Sequence, residues 1–247
     1  MNTIVTFIWA GERDYRPEHV AIMAEALKRR MTGLYRFVVV TDDPDADHGG
    51  AETFRTPDAA VALGKWKTPE ASRFPSCYRR LWMFSKEACE LGERVLMTDV
   101  DAVVVDDWAP LFRPDADFVG WHRPKGTWGS VERRVAGGMW LLRTGTMSHV
   151  YDQFVKDPPG AIARARALGF RGSDQAWISH KLADRTSACV WPAWAGIYSV
   201  RDFTRDDRRA IVRKIPADTR VVHFNGLKSP WNADAQTQHP WVKEFMP

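Results

Sequence analysis

The chain has 247 residues, 45% hydrophobic and 27% charged, with 35 Lys and Arg against 31 Asp and Glu for a formal charge of +4. This length is enough to bury a core as one α/β domain over residues 1–247, and no apolar run approaches a membrane span. The mild, dispersed positive charge suits a phosphorylated ligand without demanding nucleic acid, and three cysteines without metal-ligand spacing exclude a disulfide framework. The apolar stretch from Met1 to Trp9 lacks the basic leader of a signal peptide, so a soluble cytoplasmic protein is expected.

Thr3 to Trp9 reads as a buried strand that turns at Ala10-Gly11. Pro17 opens a helix with Val20, Met23, Leu27 and Met31 on one face. Arg36 to Thr41 is a second strand, stopped by Asp42-Asp43-Pro44, and strand–helix–strand order implies a right-handed parallel crossover. Residues 42–64 read as a loop, with Val61 and Leu63 able to form a short strand. Ser76 to Leu91 carries Leu81, Phe84, Ala88 and Leu91 at helical spacing and closes at Gly92.

Arg94 to Val105 is an apolar run interrupted by Asp99 and Asp101. On a continuous strand these two side chains share a face. Neighbouring carboxylates repel each other and are costly to bury unless a cation lies between them, so a divalent metal is one resolution and a strand-end turn the other. Further on, Asp117 to Trp121 and Gly138 to Arg143 read as strands separated by a Gly-, Pro- and Arg-containing loop. Thr144 is placed to cap a helix through Phe154, and Ser173 to cap one that holds Asp174 in its first turn and runs to Leu182. Val221 to Phe224 is a last strand before Asn225-Gly226 and a tail with Pro230 and Trp231.

Four segments in this order give the chain a recognisable signature. They are Asp99-Val100-Asp101 followed by Trp108-Ala109-Pro110-Leu111-Phe112; Tyr78-Arg79-Arg80-Leu81; Gly137-Gly138-Met139 with Gly172-Ser173-Asp174-Gln175; and His223-Phe224-Asn225-Gly226-Leu227-Lys228-Ser229-Pro230-Trp231. Together they resemble the GT-A glycosyltransferases, and among them the glycogenin-like family 8 enzymes and related bacterial and phage proteins. In the last segment Lys228 stands one position earlier than the family pattern has it. The resemblance implies a Rossmann-type mixed sheet flanked by helices and transfer of a hexose from a nucleotide diphosphate sugar, UDP-linked, to a glycan or other hydroxyl acceptor, with retention. It also implies Mn²⁺ or Mg²⁺ held by Asp99, Asp101 and His223, with Asp174 and Gln175 near the anomeric carbon and Gly226 beside the donor. Gly137-Gly138 suggests a close backbone approach to the donor sugar, with a strand bulge as the competing reading.

The nucleotide is expected at the carboxyl ends of the first parallel strands, where Trp9, Ala10, Gly11, Thr41 and Asp42 stand. Ordinary turn chemistry explains the same residues. Guanidinium groups match phosphate oxygens, and adjacent helical arginines point in different directions, so one of Arg79 and Arg80 is expected to serve; Arg79 is the choice. Lys65 and Lys228 are further phosphate candidates, and Trp128, Trp194 and Trp231 are candidate platforms for an acceptor sugar. The competing readings are a DxD-type phosphatase, a nucleic-acid-binding module suggested by Arg205 to Arg213, and a degenerate sugar-nucleotide-binding protein. No G-x-G-x-x-G follows the first strand, which argues against a dinucleotide dehydrogenase.

Overall fold

The structure, a computed structural model, describes residues 1–10, 15–68, 76–122, 135–182, 188–204, 211–224 and 229–247. Its strands are β1 (Asn2–Ile8), β2 (Tyr35–Thr41), β3 (Glu52–Arg55), β4 (Arg94–Thr98), β5 (Ala102–Val104), β6 (Phe118–His122), β7 (Val135–Arg143), β8 (Ala188–Val190), β9 (Ile197–Ser199) and β10 (Val221–His223). The helices are α1 (Pro17–Arg30), α2 (Asp58–Leu63), α3 (Ser148–Lys156), α4 (Pro158–Ala167), α5 (Asp174–Leu182), α6 (Val200–Phe203), α7 (Ala233–Gln238) and α8 (Val242–Phe245).

Seven strands form one mixed sheet in the order β3-β2-β1-β4-β7-β6-β8. The strands β3, β2, β1 and β4 are mutually parallel, and β7 runs antiparallel to both β4 and β6. The apolar runs of β1, β2 and β4 follow from burial on both sides. Val5, Phe7, Val38, Val40, Val95 and Met97 pack into one core, and Ile4, Ile8, Phe37, Val39 and Leu96 pack into the other. A second sheet, β5-β10-β9, carries a third, smaller core with the C-terminal helices.

The expected β1, β2 and α1 are all present, with Pro17 in the first turn of α1 and Val20, Met23 and Leu27 buried. Three expectations are corrected. Residues 76–91 do not form one α-helix but two 3-10 helices, Tyr78–Phe84 and Glu87–Leu91, parted at Ser85. In the first, Tyr78, Arg80, Leu81, Trp82, Met83 and Phe84 are all buried, so packing on every side overrides the amphipathic spacing read from the sequence. Val61 and Leu63 lie on α2, which buries Ala60 and Leu63, and the strand of this region is β3, an edge strand too exposed to show an apolar pattern. Thr144 does not cap a helix: its hydroxyl donates to the Gly92 carbonyl at 2.7 Å, and α3 begins at Ser148.

Candidate active site

The strand β4 ends at Thr98, and the Asp99 amide donates to the Gly138 carbonyl at 2.9 Å. The chain turns through Val100 and Asp101 and re-enters as β5 in the second sheet. The expected continuous strand through both aspartates is thus corrected: a turn, not the pleat, sets their directions. Because β10 runs antiparallel to β5, His223 lies opposite Ala102, and the Phe224 amide reaches the Asp101 carbonyl at 3.3 Å. This pairing carries a histidine 122 positions away in the chain to the aspartate turn. The imidazole is fully buried and stacks on Trp121, with ring centroids 4.9 Å apart.

Gly138 is the floor between these groups. A Cβ there would lie 3.2 Å from His223 Nδ1 and 3.4 Å from Asp99 Oδ2, so only glycine leaves the space between them open. Its neighbour Gly137 faces another pair, and a Cβ on it would lie 3.1 Å from Arg80 Nη2 and 3.3 Å from Gln175 Oε1. Asp101 is buried, and its Oδ2 accepts a hydrogen bond from the Tyr15 hydroxyl at 2.8 Å.

The centre of the charge network is Arg80. Its Nη1 pairs with Asp99 Oδ1, its Nη2 donates to Asp174 Oδ1 at 3.1 Å, and its Nε lies 2.8 Å from Asp174 Oδ2. Both Arg80 and Asp174 are buried. Burial opposes the Arg80 charge, but Asp174, Cys77 and Asp99 outweigh it and hold the guanidinium protonated, its pKa well above the ordinary value. Burial raises the Asp174 carboxyl above its ordinary range, against the pull of Arg80. The Ser173 hydroxyl accepts from the Cys77 amide at 3.0 Å and donates to Asp174 Oδ1 at 3.2 Å, tying the start of α5 to the 3-10 helix. Gln175 is held at both ends of its amide: Oε1 accepts from the Gly137 amide, and Nε2 donates to the Arg171 carbonyl, each at 3.1 Å.

The structure therefore brings Asp99, Asp101, His223, Gly138, Asp174 and Gln175 together at one end of β4. Two carboxylates and one imidazole are suitable donors for Mn²⁺ or Mg²⁺, and the hollow over Gly138 lies between two of them. The fit is in donor type: among the described residues no group of three His, Cys, Asp or Glu side chains is arranged to hold an ion.

A second cluster stands at the ends of β1 and β2. Asp42 accepts from Arg79 Nη1 at both carboxylate oxygens, 2.9 and 2.7 Å, and the Arg79 guanidinium lies over the Trp9 ring, 5.5 Å from its centroid. Thr41 is buried, and its hydroxyl accepts from the Asp43 amide at 3.1 Å; Ala10 is exposed. Arg79 and Arg80 thus diverge as adjacent residues must, and it is Arg80, not the favoured Arg79, that enters the aspartate cluster. Lys65 lies over the neighbouring Trp66 ring. Trp194 is half exposed, while Trp231 is stacked on His19 at 3.8 Å with Tyr15 at its edge, so one face of that ring is already covered. Gly11, Trp128, Gly226 and Lys228 lie outside the described residues, as do residues 205–210. The sequence reading missed Tyr15 and Trp121. Neither sits in a motif, and only the fold brings them to Asp101 and His223.

With its parallel β3-β2-β1-β4 half, antiparallel β7 and helices on both faces, the chain has the GT-A fold. Comparison with solved structures agrees. The galactosyltransferase LgtC, in complex with donor and acceptor sugar analogs, superposes with a TM-score of 0.64 at 14% identity, over 98% of this chain and 93% of its own. An active-site variant of LgtC, in which a glutamine is replaced by glutamate, gives 0.65 at 13% identity over the same shares. Mouse xyloside xylosyltransferase 1 gives 0.56 at 12% identity, over 91% of this chain and 98% of its own. No family model and no curated protein matches the sequence. Among the described residues no helix is long and apolar enough to cross a membrane.

Proposed function

We propose that the chain, as one domain over residues 1–247, is a glycosyltransferase that moves a hexose from a UDP-linked sugar to a hydroxyl acceptor with retention. The observation that carries this reading is the assembly of Asp99, Arg80, Asp174, Gln175 and His223 around Gly137-Gly138 at the end of β4, within a GT-A fold. Breaking the bond from the anomeric carbon to the diphosphate develops negative charge on the leaving group. Arg80, held protonated by two carboxylates, is a fixed cation beside that position and reorganises little as charge appears. A divalent ion held by Asp99, Asp101 and His223 would supply further charge neutralisation without proton transfer.

Asp174 is shut off from solvent and bound to Arg80 at both oxygens, which leaves it a poor nucleophile. This reading gives it the task of orienting Arg80 and the donor hydroxyls, with the acceptor attacking on the face the diphosphate leaves. Gln175 stands beside the anomeric carbon, a place supported by the active-site glutamine altered in LgtC. The nucleotide lies over the ends of β1 and β2, with Gly11 assigned to it from its place after the first strand and Gly226 and Lys228 from the motif alone. The test is a panel of nucleotide sugars with Mn²⁺, Mg²⁺ or chelator, scored for nucleoside diphosphate release and for the configuration of the product. Metal-dependent turnover of a UDP-hexose with retained configuration supports the reading. Absence of binding and turnover across the panel rejects it.

A further inference from the structure

Ile8 of β1 pairs with Thr41 of β2, so Trp9 and Asp42 are the first residues past the carboxyl ends of two neighbouring parallel strands. Open α/β sheets bind ligands in this crevice. Arg79 is fixed there on three sides. Asp42 takes its Nη1 with both oxygens, Trp9 lies against the guanidinium, and Gly64 leaves it room, since a Cβ on Gly64 would stand 2.6 Å from Arg79 Nε. Among the described residues Nη2 has no acceptor. The result is an oriented donor edge in a partly sheltered position, the Arg79 side chain being 14% exposed.

Distance decides which part of a nucleotide meets that edge. β1 lies between β2 and β4, so Asp42 and Asp99 stand at the ends of strands two spacings apart, on the order of 10 Å. With a diphosphate at Asp99 and His223, the far end of the nucleotide, its base, falls at Arg79. We infer that Arg79, oriented by Asp42 and Trp9, is a specificity-determining residue that reads the keto edge of the nucleobase, donating from Nη2 to a carbonyl such as O4 of uracil or O6 of guanine. Cytosine and adenine present an amine there, which sets donor against donor and leaves both without a partner. The inference rests on the nucleotide-sugar reading above.

The test is calorimetric titration of UDP, CDP, GDP and ADP into the whole chain with Mn²⁺ present. UDP and CDP make the sharpest comparison because the bases differ in what they carry at position 4. The wild type is expected to bind the keto member of each pair at least about tenfold tighter, since an unmatched polar group in a site built to pair it costs at least that much. Arg79→Gln is expected to narrow the ratio to about threefold or less. Asp42→Asn, which frees the guanidinium while keeping its charge, gives a second reading should the first variant fold poorly. Equal affinities, a preference for the amino bases, or an unchanged preference in a folded variant overturns the inference while leaving the nucleotide-sugar reading intact. No binding of any of the four overturns both.

Discussion

Arg80 and Asp174 form a two-point contact between the 3-10 helix Tyr78–Phe84 and the first residue of α5, with Nη2 to Oδ1 at 3.1 Å and Nε to Oδ2 at 2.8 Å. The same guanidinium pairs with Asp99, so one side chain fixes two acids that lie 75 positions apart. Removing one partner of a buried pair leaves an uncompensated charge, a cost of about 3–5 kcal/mol. Arg80→Met is therefore expected to lower unfolding free energy by about 3 kcal/mol, read from the urea midpoint, and to abolish sugar transfer. Asp174→Asn, which leaves Arg80 its contact with Asp99, should destabilise less. Arg80→Met with wild-type stability would remove Arg80 from the centre of this network.

Gly138 separates the site's chemistry from the fold's stability. A Cβ at 3.2 Å from His223 Nδ1 and 3.4 Å from Asp99 Oδ2 forces shifts of a few tenths of an ångström in a sheet that otherwise stays paired. Gly138→Ala is expected to fold with stability changed by about 1 kcal/mol or less, yet to bind Mn²⁺ in the presence of UDP at least tenfold more weakly, measured by calorimetry. Metal binding at wild-type strength would show that the hollow over Gly138 is not where the ion sits.

How far the sequence revealed this site depended on the range of the interaction that places each residue. β1, β2 and β4 were legible because burial on both faces writes an unbroken apolar run, and α1 because Pro17 and a three–four spacing mark its start and buried face. The motif order singled out Asp99, Gly138, Asp174 and His223, which the fold brings to one end of β4, but not the turn that parts Asp99 from Asp101, where the Asp99 amide bonds the Gly138 carbonyl on another strand. Of the adjacent arginines the sequence favoured Arg79, whereas Arg80 is the one that meets Asp99 and Asp174. Their divergence is set by Asp42 on one side and by Asp99 and Asp174 on the other, contacts of 19 to 94 positions in sequence separation. β3 is exposed along most of its length and left no pattern to read.

His239 caps the C-terminal end of α7. It is buried, its Nδ1 has no hydrogen-bond partner among the described residues, and it packs edge-on against Phe224 and Trp241. Burial lowers its pKa below the ordinary 6.5. Between the ordinary value and the lower folded one, the unfolded chain binds the extra proton, so stability rises with pH across that window. Its contribution is fully present above pH 6.5 and is lost as the pH falls from there through the folded pKa. His239→Phe is expected to flatten the fall in melting temperature below pH 6.5 relative to wild type. Parallel curves for the two proteins would show that the acid sensitivity lies elsewhere.

Tyr15 supplies a hydroxyl 2.8 Å from Asp101 Oδ2, a bond between the start of α1 and the turn that carries the second aspartate. Hydrogen bonds to charged groups contribute about 1.5–3 kcal/mol, and the loss is felt most where the acceptor is buried, as Asp101 is. The phenyl ring of Tyr15→Phe keeps the edge contact with Trp231, so the change isolates the hydroxyl. Tyr15→Phe is expected to destabilise the fold by about 1.5 kcal/mol and, by releasing Asp101 from its fixed direction, to weaken Mn²⁺ binding in the presence of UDP by about tenfold. A stability loss with unchanged metal affinity would assign the bond to the fold alone. Loss of both would place the Tyr15 hydroxyl among the groups that orient Asp101 for its ligand.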